Sequence, residues 1–146
     1  MKSNLIAEAS VSIDAGPTEV WNALTTPALI QQYLMGTKVT TNWKEGSPIT
    51  YEGNYGGKAY KDKGTIKKIS PGKVLQTTYW SSAGGKEDKP ENYNLVTYTL
   101  ARKDDKTLVT LTQDNVTSEK EKEHVTKNWT SVLEKLKSVV EGSVYA

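Results

Sequence analysis

His124 is the only imidazole in the chain, and it stands among Glu121, Lys122 and Glu123. A metal centre takes three or four ligands, so one histidine in a charged run reads as a surface residue. The chain has no cysteine, which removes disulfides, thiolate zinc sites, iron–sulfur clusters and a cysteine nucleophile. It carries no HExxH zinc helix, no GxSxG elbow and no glycine-rich phosphate loop. Gly53-Asn54-Tyr55-Gly56-Gly57 reads as a hairpin turn. Glu8, Asp14 and Glu52 are carboxylates that no spacing brings to a working separation. The sequence therefore assigns no catalytic residue, no metal ligand and no cofactor.

The aromatic residues say more. There is no phenylalanine, yet there are four tryptophans and eight tyrosines. Trp21, Trp43, Trp80, Trp129, Tyr51, Tyr79 and Tyr98 lie on segments that meet the core, where aromatic residues serve first as packing. Tyrosine and tryptophan also bring a polar tip that needs a partner once buried. Phenylalanine would fill the same volume without that demand, so a ligand or water is a candidate partner. Threonines at 77, 78, 97, 99, 110 and 112 add hydroxyls to the strands, for strand propensity first and pocket lining second.

Formal net charge is +2, and Arg102 is the only arginine. Nucleic-acid binders lean on arginine's planar fork, so no nucleic-acid partner is expected. Lys58, Lys61, Lys63, Lys67, Lys68 and Lys73 cluster as the solvated face of a hairpin. No run approaches the roughly 18 apolar residues of a membrane helix, and Glu8 interrupts the N-terminal segment before a signal-peptide core forms. A cytoplasmic protein without integral membrane association is expected. The Asn-x-Thr triplets at Asn115 and Asn128 then read as chance matches.

The elements that position these residues follow from period and turn chemistry. In 5–13, Leu5, Ala7, Ala9, Val11 and Ile13 alternate with polar residues, the mark of a half-buried strand. Gly16-Pro17 and Thr26-Pro27 each open a short helix, with Thr26 as cap and proline in the first turn. From 37 to 115, turn clusters divide strands near 38–44, 48–55, 58–69, 73–81, 93–102 and 107–114. Short connections favour antiparallel neighbours. The glycine-rich stretch 82–92 reads as a mobile loop. Ser118 and Glu121 form a capping box. Val125, Trp129, Val132, Leu133, Leu136, Val139 and Val140 then mark a helix over 118–141, with Gly142 as its C-cap and 143–146 as a frayed tail. One domain over 1–146, with a core over about 4–141, is expected. The long helix must bury the sheet's apolar face, and a gap between them is a natural small-molecule pocket.

Ile13-Asp14-Ala15-Gly16-Pro17-Thr18-Glu19-Val20-Trp21-Asn22-Ala23-Leu24-Thr25-Thr26-Pro27 resembles the opening of the SRPBCC (START-like, Bet v 1-like) superfamily. The branch it is most similar to contains the C-terminal domain of the activator of heat-shock protein 90 ATPase. The hairpin Gly64–Leu75, the strands Val96–Leu100 and Thr107–Gln113, and the helix Asn128–Lys137 resemble that branch in the same order. Two positions depart from it: Tyr33, with Leu34-Met35 after it, where tryptophan is frequent, and Asn128 where glycine is frequent. The resemblance implies an α+β helix-grip fold, a curved antiparallel sheet wrapped around a long C-terminal helix, with a hydrophobic cavity. Fold kinship alone does not choose a function.

The expectation is a non-enzymatic module that binds a small hydrophobic or aromatic ligand, lipid- or polyketide-like. The candidate lining is Tyr33, Met35, Trp43, Tyr51, Tyr79, Tyr98, Trp129, Leu133 and Leu136. The alternatives are a protein-interaction role with a chaperone, which the resemblance suggests, and a cyclase- or hydratase-type enzyme, which needs a positioned acid or base. A monomer or weak dimer is expected, since an edge strand permits pairing but nothing demands it.

Overall fold

The computed structural model describes residues 5–34, 36–55, 57–81 and 86–145. Strand β1 (Leu5–Ile13) is followed by helices α1 (Pro17–Thr25) and α2 (Pro27–Tyr33). Strands β2 (Lys38–Thr40), β3 (Pro48–Tyr55), β4 (Lys58–Ser70), β5 (Val74–Tyr79), β6 (Asn94–Lys103) and β7 (Lys106–Val116) come next, and helix α3 (Glu119–Tyr145) closes the chain. The strands form one sheet in the order β1-β7-β6-β5-β4-β3-β2, and every paired neighbour is antiparallel. This is the helix-grip α+β architecture that the resemblance implied.

The long strand β4 is shared between two partners. Its first part pairs with β3 from Lys58↔Tyr55 to Thr65↔Pro48. Its second part pairs with β5 from Ile66↔Thr77 to Ser70↔Val74, with an irregularity between Ile66 and Lys68. Gly64 stands at the handover, and a Cβ built there would lie 1.7 Å from the Thr78 carbonyl oxygen. Only glycine admits that approach.

Helix α3 packs chiefly on β1 and also meets β7, α1 and α2. Its C-terminal half carries Leu133, Leu136 and Val140 into a core with Val11 and Ile13 of β1, Val20 and Leu24 of α1, and Val109 and Leu111 of β7. Polar contacts fix that half in place. Lys137 Nζ donates to the Ser12 carbonyl at 2.7 Å, and the Asp14 backbone N–H donates to Glu141 Oε2 at 2.9 Å. The helix therefore lies over one side of the sheet and leaves the concave face of β3 to β6 with less cover.

Several local expectations are corrected. The strand read over 38–44 ends at Thr40, because Trp43 takes a left-handed backbone (φ 57) that no strand continues through. Thr26 occupies the cap of α2, but its hydroxyl donates to Asn22 Oδ1 at 3.0 Å rather than capping the helix. Gly142 does not end α3, which continues to Tyr145; one glycine costs a helix only about 1 kcal/mol. The capping box is present in modified form. Ser118 Oγ accepts the Glu121 N–H at 3.1 Å, while Glu121 Oε2 accepts the Thr117 N–H at 2.6 Å. In the stretch read as a mobile loop, 82–85 lies outside the described residues. The remainder is tied down: the Glu87 carbonyl accepts from Trp80 Nε1 and Asn92 Nδ2, and Asn115 Nδ2 donates to the carbonyls of Glu91 and Tyr93.

Candidate functional site

A cavity of about 810 Å³ opens between the concave sheet and α3. Strand alternation aims the wall residues. On β3 and β4 the pairs Tyr51↔Asp62 and Gly53↔Tyr60 face inward, while Glu52↔Lys61 between them faces outward and forms an ion pair at 3.6 Å. Thr77 of β5, Val96 of β6 and Gln113 of β7 form a transverse row across the floor. Helix α3 closes the roof with Val125, Asn128, Trp129 and Val132, at the i, i+3, i+4 and i+7 positions of one helical stripe. Asn54, Lys58 and Ala59, at the end of the β3–β4 hairpin, are exposed and form the rim.

The polar tips of the wall are largely occupied. Tyr79 donates its hydroxyl to Asp62 Oδ2 in a short hydrogen bond. Thr37 Oγ1 donates to the Leu34 carbonyl at 2.6 Å, which leaves the Tyr60 hydroxyl to donate to Thr37 Oγ1 at 2.5 Å. The Tyr60 ring lies over Gly53, where a Cβ would come within 2.4 Å of the phenol oxygen. Trp129 Nε1 donates to Gln113 Oε1 at 2.8 Å. The rings meet edge to face, Tyr51 with Tyr79 at 5.5 Å and Tyr98 with Trp129 at 6.3 Å between centroids.

Burial governs the electrostatics. It pushes the Tyr51 phenol up to about 12, and it pushes Tyr98 up further. Tyr79 rises through burial and then through its bond to Asp62, since a departing proton would leave two anions in contact. All three are neutral donors at physiological pH. Asp62 is 6% exposed and, among the described residues, is the one acidic residue of the wall.

Of the residues expected to line a pocket, Tyr51, Tyr79, Tyr98 and Trp129 line this cavity. Leu133 and Leu136 are fully buried in the core, because α3 has reached β1 by that point. Tyr33 is also core, its hydroxyl donating to the Ala23 carbonyl at 3.2 Å. Together with Trp43 it borders only a second void of about 30 Å³. Met35 lies outside the described residues. His124 is exposed, and among the described residues no group of three or more His, Asp or Glu side chains could hold a metal ion.

Sequence reasoning missed Asp62, Tyr60, Thr37 and Gln113. For Asp62 a signal existed: Tyr60, Asp62, Gly64 and Ile66 alternate with Lys61, Lys63, Thr65 and Lys67. Period two puts the aspartate with the inward set, but the surrounding lysines made the whole strand read as a solvated face.

The family model for "Activator of Hsp90 ATPase homolog 1-like protein" matches residues 14–141. The chain is similar to ChR145 from Cytophaga hutchinsonii, a solution structure, at 44% identity over 100% of both chains with a TM-score of 0.85. It also resembles the Aha1 dimer from Colwellia psychrerythraea, at 20% identity over 94% of this chain and 96% of that one, TM-score 0.72. CalU16 from Micromonospora echinospora aligns at 21% identity over 99% and 89%, TM-score 0.70. The last two likenesses establish the fold alone. No curated protein matches the chain. Among the described residues no helix is long and apolar enough to cross a membrane.

Proposed function

The chain belongs to the Activator of Hsp90 ATPase homolog 1-like family, and we propose that it binds a small apolar or aromatic molecule in the cavity between the sheet and α3, without transforming it. The observation that carries this reading is the 810 Å³ void itself. Its volume falls within the roughly 300–1,000 Å³ of small-molecule pockets, and elsewhere the same chain packs its core densely around Leu111, Leu133 and Leu136. Protein interiors fill to crystal-like density, so a void of this size beside a filled core supports a site held open for an occupant. The aromatic wall supplies contact area, and the neutral phenols of Tyr51, Tyr79 and Tyr98 fix orientation.

The test is native mass spectrometry of the protein from its own host, with tryptophan fluorescence against a panel of lipids and flavonoids. Trp129 stands in the wall, so binding perturbs its emission. A retained small molecule, or a response with a micromolar midpoint, is the expected result. No bound species and no response would overturn the reading.

Membership of a family named for an ATPase activator supports a second reading, a protein-interaction role with a chaperone. That reading is removed if a pull-down recovers no chaperone and the chaperone's ATPase rate is unchanged.

A further inference from the structure

We propose that Tyr98 and Gln113 select the occupant: they take a neutral molecule whose leading end carries a hydrogen-bond acceptor, a ketone, ester or amide carbonyl. This deepens the ligand-binding reading above and rests on it. Most polar groups of the wall are spent on one another. Tyr79 donates to Asp62, Tyr60 donates to Thr37, and Tyr51 is hydrogen-bonded to Thr77. Two groups differ. The Tyr98 ring meets Trp129 edge to face, but among the described residues its hydroxyl has no hydrogen-bond partner. Gln113 accepts from Trp129 Nε1 through Oε1, which leaves its Nε2 without a partner among the described residues. No enclosed polar side-chain atom of the described residues lacks a partner. Both groups therefore reach open space, and the cavity is the space that both line.

The sheet brings the two together. Val96 stands opposite Gln113 and Tyr98 opposite Leu111, so Tyr98 and Gln113 are diagonal neighbours on the inward face, about 7–8 Å apart at the backbone. Each touches the Trp129 indole, from the ring and from the nitrogen. Along β6 the inward residues run from Val96 in the cavity through Tyr98 to Leu100 in the core. Tyr98 also borders the second, small void. It thus marks the inner end of the cavity.

Both groups are neutral donors. Burial keeps the Tyr98 phenol protonated at physiological pH, and an amide nitrogen only donates. A carbonyl oxygen has two lone pairs and brings no proton of its own, so one such oxygen suits the pair. A hydrocarbon end would strip water from two donors and return nothing. An ionised carboxylate would accept as well, but taking it out of water requires a cation beside it. Among the described residues the lining holds one cation, Lys58, and it is exposed at the rim.

Three probes of similar shape isolate the acceptor: benzophenone, diphenylmethane and diphenylacetate, titrated near neutral pH into isotopically labelled protein and followed by nuclear magnetic resonance. Water solvates the carbonyl of benzophenone, so a wall without free donors would bind diphenylmethane more tightly. The expected result is the reverse, benzophenone tighter by about five- to tenfold, with diphenylacetate weakest. In Tyr98→Phe benzophenone should fall to the level of diphenylmethane or below it. That variant removes no hydrogen bond of the protein, so its urea midpoint should stay close to that of the unaltered chain. The comparison on the unaltered protein stands by itself if the variant does not fold. Benzophenone no tighter than diphenylmethane, diphenylacetate tightest, or an advantage of benzophenone that survives in Tyr98→Phe would overturn this assignment and leave the ligand-binding reading intact. Binding of none of the three would overturn both.

Discussion

Among the described residues, Tyr33, Tyr51, Tyr79 and Tyr98 are phenols that burial keeps from ionising readily. Burial raises the phenols of Tyr33, Tyr51, Tyr79 and Tyr98 above their ordinary 10.0, Tyr51 to about 12. In the unfolded chain each would titrate near its ordinary value. A raised folded pKa means that the folded state holds the proton more tightly. Its contribution to stability is fully present below pH 10 and is lost as pH rises through the folded value. For Tyr51 that window is pH 10.0 to about 12. Denaturant midpoints should therefore fall steeply above pH 10, and phenolate absorbance should grow together with unfolding. Full tyrosine ionisation near pH 10 with the fold intact would contradict this. The same four residues show what side-chain type alone conveys. Their number and the lack of phenylalanine pointed to polar tips needing partners. Which partners they found, Asp62 for Tyr79 and the Ala23 carbonyl for Tyr33, depends on contacts between distant segments.

Among the elements, β4 decides the shape of the site. It serves β3 and then β5, and Gly64 allows the strand backbones to close at the point where it changes partner. Gly64→Ala places a methyl group against the Thr78 carbonyl, a backbone atom that cannot swing aside. Its cost should exceed the roughly 1–3 kcal/mol of ordinary overpacking. Gly142→Ala is the contrast, since it lies in α3 with nothing within 4 Å of the added carbon and should gain up to about 1 kcal/mol. Urea unfolding of both variants checks the pair; similar midpoints for the two would refute this role of Gly64. The bounds of β1 and β3 followed directly from alternation and turn chemistry. The early end of β2 did not, because Trp43 looks like a strand residue and its left-handed backbone is set by the packing of the loop. The end of α3 was misplaced for the opposite reason: Gly142 resembles a cap, but a long helix already anchored on β1 tolerates one glycine.

For the molecule as a whole, function turns on where one helix meets one sheet. The strand, helix and turn patterns were sufficient for the order of the elements, and the resemblance added the helix-grip arrangement. They also showed that the helix is long enough to cover the sheet. They did not show that its C-terminal half fills the core on β1 while Val125, Asn128, Trp129 and Val132 roof an open space. Leu133 and Trp129 belong to one apolar stripe in sequence, and only the crossing of α3 over the sheet separates a core residue from a wall residue. The central claim is that this space takes up a small molecule. Its most direct test is a titration of isotopically labelled protein with an apolar aromatic probe, followed residue by residue by nuclear magnetic resonance. The account predicts shifts concentrated at Tyr51, Asp62, Thr77, Tyr98 and the Trp129 indole N–H, with those of Leu133 and Val109 nearly still. Saturation with no shift at these wall residues, or shifts confined to the outer surface of the sheet, would contradict it.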